Sequence, residues 1–395
     1  MTHESKPALG VGMVGYAFMG RAHSHAWRNA GAFFDLPGAP VMVALAGRSR
    51  DQATAAAERL GWGAAETDWR ELIRRDDVDI IDICSPGDTH AEIAVAALEA
   101  GKHVLCEKPL ANTVAQAVEM AEAAERARAN GVRSMVAFNY RRVPALALAR
   151  DMVAEGRLGT IRHVRAQYLQ DWIVDPEFPL VWRLDVNKAG SGALGDIGAH
   201  IIDAAQFVAG DQVTGVSALM ETFIRKRPLA GASAGLGAAA SGNLGQGTVT
   251  VDDAALFIGK MSGGALTSFE ATRFATGRKN AMRLEINGSA GSLAFDFEAM
   301  NELSFYDNTE DSRTAGFRRI LVTEPDHPYA GAWWPPGHLL GYDHTFTHEV
   351  KDFVEAIASG TDPSPSFEDG LQVQRVLAAV ARSASDRGVW TDVEA

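Results

Sequence analysis

The sequence predicts an α/β chain of two domains: a doubly wound parallel sheet over residues 1–140, then an α+β domain over 141–395 on a largely antiparallel, open sheet. Three observations lead there. At 395 residues the chain exceeds what one ordinary hydrophobic core holds. Through residue 140, short apolar runs alternate with helical stretches, which is how parallel strands joined by crossover helices read in sequence. Beyond that point strands and turns follow one another without intervening helices, the texture of an antiparallel sheet.

Residues 9–14 form the first strand and 18–29 the first helix; 41–46 is the second strand, followed by an Ala-rich helix over 51–60. A short unit near 67–74 precedes a strong strand at 78–84. A helix over 89–100 ends at Gly101, a strand at 103–107 follows, and a helix over 113–130 ends at Gly131 before a last strand at 132–138. The right-handed crossover rule leaves few topologies for this order. In the second domain a helix over 144–155 leads to an extended segment at 160–170, and a helix over 194–208 starts near Gly192. Residues 213–322 read as strands and turns, interrupted at 230–247 by a Gly/Ala/Ser-rich stretch expected to be a mobile surface loop. Helices over 342–359 and 367–386 close the chain and can pack back on the first domain.

Hydrophobic content of 47% and charged content of 22% belong to a well-packed globular protein. A net charge of -13 argues against a nucleic-acid surface, which needs clustered Lys and Arg, but leaves room for a local basic pocket. Cys84 and Cys106 each end an apolar run; two thiols in such a length are no disulfide framework, and no metal-ligand spacing accompanies them. Residues 1–7 are polar and lead into a strand, with no leader signature and no 18-residue apolar run in the chain. The expectation is a soluble cytoplasmic protein with no membrane partner and no metal.

Gly15-Tyr16-Ala17-Phe18-Met19-Gly20 falls between the first strand and the first helix. That is the place of the dinucleotide fingerprint G-x-G-x-x-G, which turns backbone N–H groups at a helix start towards a pyrophosphate. Ala17 stands at the second glycine position, so the pyrophosphate approaches less closely there. Gly15, Ala17, Phe18, Met19 and Gly20 are assigned to NAD or NADP, making the first domain a Rossmann domain. At the end of the second strand an acidic residue would accept hydrogen bonds from the adenosine ribose, but Gly47-Arg48-Ser49 stands there instead. Arg48 and Ser49 can meet a 2′-phosphate, which slightly favours NADP; Arg48 stacked on adenine would suit NAD as well. Ser85, Pro86 and His90, after the fourth strand, are assigned to the same cofactor edge, with Glu107 and Asn139. Asp88 reads as the cap of the helix that follows.

Cys106-Glu107-Lys108-Pro109 ends the fifth strand, and Asp196 and His200 stand four residues apart, on one face of a helix. Moving a proton while a cofactor moves a hydride needs a base that titrates near neutral pH, which singles out imidazole and hence His200. Lys108 can hold an ammonium against the reacting oxygen. Asp196 assists, and Asp203 lies near the same face. Substrate contacts are expected from Lys108, Asp196 and His200 and from Tyr140, Arg141, Trp172, Trp182 and Arg183, flat rings and forked donors of the kind that hold sugars.

These motifs resemble the glucose–fructose oxidoreductase/inositol dehydrogenase (Gfo/Idh/MocA) family. The carrying residues are Gly15 to Gly20, Ser85-Pro86 with His90, Glu107-Lys108-Pro109, and Gly195-Asp196-Ile197-Gly198-Ala199-His200 with Asp203. Stretches around Asn139-Tyr140-Arg141-Arg142, Trp182-Arg183 and Ala189-Gly190-Ser191-Gly192 are similar to a sugar-oxidising subgroup. The resemblance implies hydride transfer between a nicotinamide and a secondary hydroxyl of a sugar, anhydrosugar or cyclitol, with Lys108, Asp196 and His200 at the catalytic positions. It also implies an open sheet that makes subunit contacts, hence a homodimer or homotetramer. Two other readings stay open: glycoside cleavage through transient oxidation by tightly held NAD, and a non-catalytic NAD(P)-binding redox sensor.

Overall fold

A computed structural model describes residues 6–229 and 245–394. By contacts the chain divides into two units, Met1–Arg142 with Leu340–Leu371, and Val143–Leu339 with Gln372–Ala395.

In the first unit the apolar runs become β1 (Ala8–Val14), β2 (Ala39–Ala46), β3 (Ala64–Glu66), β4 (Ile80–Ile83), β5 (His103–Glu107) and β6 (Ser134–Ala137). Helices α1 (Phe18–Phe33), α2 (Arg50–Leu60), α3 (Trp69–Arg74), α4 (His90–Glu99) and α5 (Val114–Arg128) lie between them. The strands pair in parallel in the order β3-β2-β1-β4-β5-β6, so the order reverses between β1 and β4. At such a switch point the carboxyl ends of neighbouring strands leave a crevice, where ligands bind in open α/β sheets.

Strand alternation sets what fills this core. Ile80, Asp82 and Cys84 share one face of β4, and the register Asp82↔Leu105 puts Leu105 and Glu107 of β5 on the same face. Over it α1 lays His23 and Trp27, one turn apart, beside Ala26 and Ala30. The helix Tyr342–Ser359 adds Phe346, Val350, Phe353 and Val354 to the same cluster. Each large side chain buried this way contributes roughly 1.5–3 kcal/mol.

The second unit starts with α6 (Pro144–Ala154), whose first residue is a proline that needs no N–H partner there. Then follow β7 (Ile161–Leu169), a short α7 (Val186–Ala189), a π-helical turn at Leu194–Gly198 and α8 (Ala199–Ala209). The strands are β8 (Val213–Glu221), β9 (Lys226–Pro228), β10 (Gln246–Thr248), β11 (Ala254–Met261), β12 (Leu266–Thr272), β13 (Ala281–Gly288), β14 (Gly291–Asp296), β15 (Glu302–Asp307), β16 (Arg318–Leu321) and β17 (Thr391–Asp392). Among the described residues nine of them form one sheet in the order β16-β15-β14-β13-β7-β12-β11-β8-β17, with β9 and β10 a separate ribbon. All neighbours run antiparallel except β12 with β7. Alternate residues Val164, Ala166 and Tyr168 of β7 are buried, and α8 packs against β7 and β13. The opposite face leaves Leu219, Leu256, Ile258 and Leu266 exposed.

Four details differ from the sequence reading. β3 has no apolar run to announce it and is held by pairing with β2. No side chain caps α4; a 3-10 turn at Gly87–Thr89 leads into it. The helix expected from 194 opens with a π turn. Residues 230–244 of the expected loop lie outside the described residues, and Gln246 and Gly247 already belong to β10, paired with β9. Among the described residues no helix is long and apolar enough to cross a membrane.

Candidate active site

At the switch point Gly15 has a φ of 95°, and a Cβ there would come within 2.8 Å of the Cys84 and Ser85 backbone. Only glycine lets β1 turn so close to the end of β4. No side chain caps the start of α1, where Ala17 and Phe18 are exposed and Met19 is half-buried. The first-turn N–H groups of α1 therefore stand ready for an anion, and this cradle fits a dinucleotide pyrophosphate. Arg48 is exposed and Ser49 half-buried at the end of β2.

In the next loop the Ser85 and Thr89 hydroxyls are 2.6 Å apart, and Thr89 Oγ1 donates to the Pro86 carbonyl at 2.7 Å. His90 is buried: its Nε2 lies 2.9 Å from the Ser85 carbonyl and its Nδ1 3.1 Å from the Pro109 carbonyl. It ties the loop after β4 to the loop after β5, the one that carries Lys108.

Lys108 is half-buried and precedes Pro109 through a cis peptide. Its N–H donates to Glu107 Oε2 at 3.1 Å. Glu107 Oε1 lies 3.0 Å from His23 Nε2, and His23 Nδ1 lies 2.9 Å from Asp82 Oδ1. Trp27 Nε1 donates to Asp82 Oδ2 at 2.7 Å. Burial opposes a charge on His23, yet Asp82 and the neighbouring groups hold its pKa well above the ordinary imidazole value. His23, Asp82 and Cys84 offer three potential ligand atoms within 4.8 Å. Burial raises the pKa of the Cys84 thiol, and the Asp82 oxygens already accept from Trp27 and His23, so the set has the chemistry of a hydrogen-bonded network. Both cysteines are buried and free.

Asn139, Tyr140 and Arg141 lie in a buried 3-10 turn. Asn139 Nδ2 donates to Thr345 Oγ1 at 2.9 Å, Tyr140 packs against Tyr342 with ring centres 6.3 Å apart, and Arg141 Nη1 donates to Ser364 Oγ at 2.9 Å. Their contacts tie the end of β6 to the segment that holds the helix Tyr342–Ser359. On that helix Glu349 is buried without a hydrogen bond to its Oε1, and burial pushes its carboxyl up to about 8, against the pull of Arg142 and His23.

The second unit carries the other candidates. Asp252, just before β11, accepts from the Gly192 N–H at 2.7 Å and the Leu194 N–H at 2.8 Å, fixing the start of the helical stretch. Gly192 packs so tightly there that a Cβ would lie 1.7 Å from the Asp252 carbonyl oxygen. Burial raises the Asp252 pKa, opposed by Arg273 and the two amides. Asp196 sits in the π turn and His200 in the first turn of α8, so they still share a face. π turns of this kind recur at functional sites. Arg273, fully buried, reaches Asp196 Oδ2 with Nη1 at 3.5 Å and donates from Nη2 to the Asp252 carbonyl at 3.1 Å. Its guanidinium also lies over the Trp172 ring, 5.4 Å from the centre. His200 is nearly buried beside Tyr168, ring centres 5.9 Å apart, while Asp203 is fully inside. Trp172 is half-buried and donates to Gln170, and Arg183 stacks on Trp182 at 4.4 Å.

Lys108 thus belongs to the first unit, Asp196 and His200 to the second. Sequence reasoning missed His23, Asp82, Asp252, Arg273 and Glu349. One signal was present: an aspartate within the apolar run Ile80-Ile81-Asp82-Ile83 is unusual in a buried parallel strand.

Comparison with known proteins agrees with this architecture. Residues 9–138 match the oxidoreductase family with an NAD-binding Rossmann fold, and residues 146–294 match the GFO/IDH/MocA C-terminal domain. The chain is 42% identical over 388 residues to levoglucosan dehydrogenase of Pseudarthrobacter phenanthrenivorans, covering 98% of both. The crystal structure of an oxidoreductase domain protein from Kribbella flavida is 64% identical with a TM-score of 0.94, covering 98% of this chain and all (100%) of that one. Levoglucosan dehydrogenase in complex with NADH and levoglucosan is 41% identical with a TM-score of 0.91, covering 98% and 100%. The chain belongs to the glucose–fructose oxidoreductase/inositol dehydrogenase/MocA (Gfo/Idh/MocA) family of NAD-binding oxidoreductases.

Proposed function

We propose that the chain is a nicotinamide-dependent dehydrogenase that oxidises a secondary ring hydroxyl of an anhydrosugar, levoglucosan being the first to try. The 42% identity with levoglucosan dehydrogenase, spread over 98% of both chains, carries this reading. When bound, the nicotinamide supplies the hydride acceptor; side chains do the rest. His200 takes the hydroxyl proton on its imidazole. Lys108 sets its ammonium against the oxygen as negative charge develops there. Asp196, steered by buried Arg273, assists His200 from one turn away. Trp172, Trp182 and Arg183 supply flat faces and donors to the ring. The test mixes purified protein and NAD or NADP with levoglucosan, inositols and aldoses, following the absorbance of reduced nicotinamide. Levoglucosan should turn over fastest. No reduced nicotinamide with any of them would refute the reading; a parallel reaction with an aryl glycoside that releases its aglycone without reduced nicotinamide would identify transient oxidation during glycoside cleavage.

Arg48 and Ser49 extend cofactor use to NADP. Gly47-Arg48-Ser49 places no carboxylate at the end of β2 to repel a 2′-phosphate, and Arg48 is exposed to pair with one. Arg48→Ala is expected to raise KM for NADP about tenfold and to leave KM for NAD within about twofold, as one charged hydrogen-bond partner is lost. Equal effects on both cofactors would contradict this role.

The exposed face of the nine-stranded sheet, where Leu256 and Leu219 stand directly opposite each other, is the surface of self-association into a dimer or tetramer. Ile258→Glu in the middle of that face should shift light-scattering mass towards the monomer; an unchanged mass would exclude this face. Free buried thiols and dependence on a nicotinamide pool suit a cytoplasmic setting.

A further inference from the structure

We propose that His23 is a positioning residue for Lys108, acting through Glu107. The inference rests on the role given to Lys108 above. His23 is 1% exposed, Asp82 0% and Glu107 4%, so three ionisable groups share one dry region under the end of β5. The imidazole stands between two carboxylates, 2.9 Å from Asp82 and 3.0 Å from Glu107. With one carboxylate on each ring nitrogen, the doubly protonated ring satisfies both contacts. A neutral ring would turn a lone pair on one of them. The raised pKa of His23 agrees with that geometry.

Such a group is a poor device for stability, because desolvating the charges offsets their attraction, and apolar residues of similar volume would serve a core as well. Its geometry suggests another purpose. Glu107 has two oxygens and two jobs: Oε1 meets His23, and Oε2 holds the Lys108 N–H at 3.1 Å. Asp82 is itself fixed by Trp27 and by its place in the middle of β4, so the imidazole has little freedom. A rigid chain of contacts therefore runs from α1 through β4 and β5 to the backbone of the residue that must aim an ammonium at the substrate oxygen. His90 clamps the same loop from the other side, at the Pro109 carbonyl. Displacements of about 1 Å at a reacting group cost up to about a hundredfold in rate.

The experiment compares parent, His23→Gln and Lys108→Ala for kcat, KM for the sugar, NAD affinity and melting temperature. The single amide nitrogen of glutamine cannot serve carboxylates on two sides, so Glu107 or Asp82 loses the hydrogen bond from position 23 while the volume stays similar. The expected result for His23→Gln is a folded protein with kcat lowered about 10–100-fold and with KM and NAD affinity within about threefold of the parent. A folded His23→Gln protein with kcat within about twofold of the parent overturns the proposal, as does a loss shared equally by kcat, KM and NAD affinity. Should His23→Gln not fold, Glu107→Ala and Glu107→Gln decide. Loss of kcat in the alanine variant with recovery in the glutamine variant, which keeps an acceptor for Lys108 N–H, supports positioning. Equal kcat in the two refutes it. Lys108→Ala separates the two claims: if it stays active, the Lys108 role fails, whereas a dead Lys108→Ala beside a fully active His23→Gln refutes the His23 inference alone.

Discussion

Lys108→Ala is expected to lower kcat by about 10²–10³-fold, the scale of losing one preorganised group that stabilises developing oxyanion charge. His200→Ala should cost about 10²–10⁴-fold, the range of a positioned general base. Both proteins should still bind NAD, because the α1 start and the Gly15 turn that would cradle the pyrophosphate are untouched. If one hydroxyl is served by both side chains, their effects are not independent. The double variant should then lose much less than the product of the single losses. Steady-state kinetics on the four proteins, with NAD binding followed by fluorescence, checks all of this. A Lys108→Ala protein with kcat near the parent would remove the lysine from the chemistry.

Glu349→Gln is expected to stabilise the first unit, by about 3 kcal/mol at pH 7 and by progressively less towards pH 4.5. The sign follows from proton counting. In the folded protein the Glu349 carboxyl keeps its proton to about 8, while in the unfolded chain it ionises near 4.5. Between those values the folded state holds the extra proton, so stability falls as pH rises. Neighbouring His348 acts in the opposite sense: burial lowers its folded pKa to about 3, so the unfolded chain binds the extra proton below 6.5 and stability falls on acidification. The two slopes cancel between 4.5 and 6.5. Above 6.5 Glu349 alone brings a fall of about 2 kcal/mol by pH 8, and His23, with its raised pKa, adds to it. Urea unfolding across this range should therefore give a flatter alkaline limb for Glu349→Gln than for the parent. Parallel curves would show that the carboxyl is not protonated in the fold.

What the sequence disclosed depended on how local the information was. The strand His103–Glu107 and the helix Tyr342–Ser359 were readable to the residue. In each the hydrophobic period is strong and its end is marked, by Lys108-Pro109 and by Gly360. β3 escaped because Ala64-Ala65-Glu66 carries no period and exists by pairing with β2. The π turn escaped because the pattern from Leu194 reads equally well as α-helix; the Asp252 carboxylate that fixes its start comes from 58 positions away. The site divides in the same way. Lys108, Asp196 and His200 could be proposed from the sequence because their spacing and surroundings are local. His23 reaches Asp82 across 59 positions and Glu107 across 84, and Arg273 reaches Asp196 across 77, so only the fold reveals these partners. Periodicity says which face a residue occupies, not which residue of another element waits there.

The most direct measurement is a crystal structure of the protein with NAD and the ring polyol it oxidises fastest. One secondary hydroxyl should lie within hydrogen-bond reach of both Lys108 Nζ and the His200 imidazole, with the hydrogen of its carbon directed at the nicotinamide. A bound sugar whose reacting hydroxyl meets neither side chain would contradict the assignment of Lys108 and His200 to the chemistry.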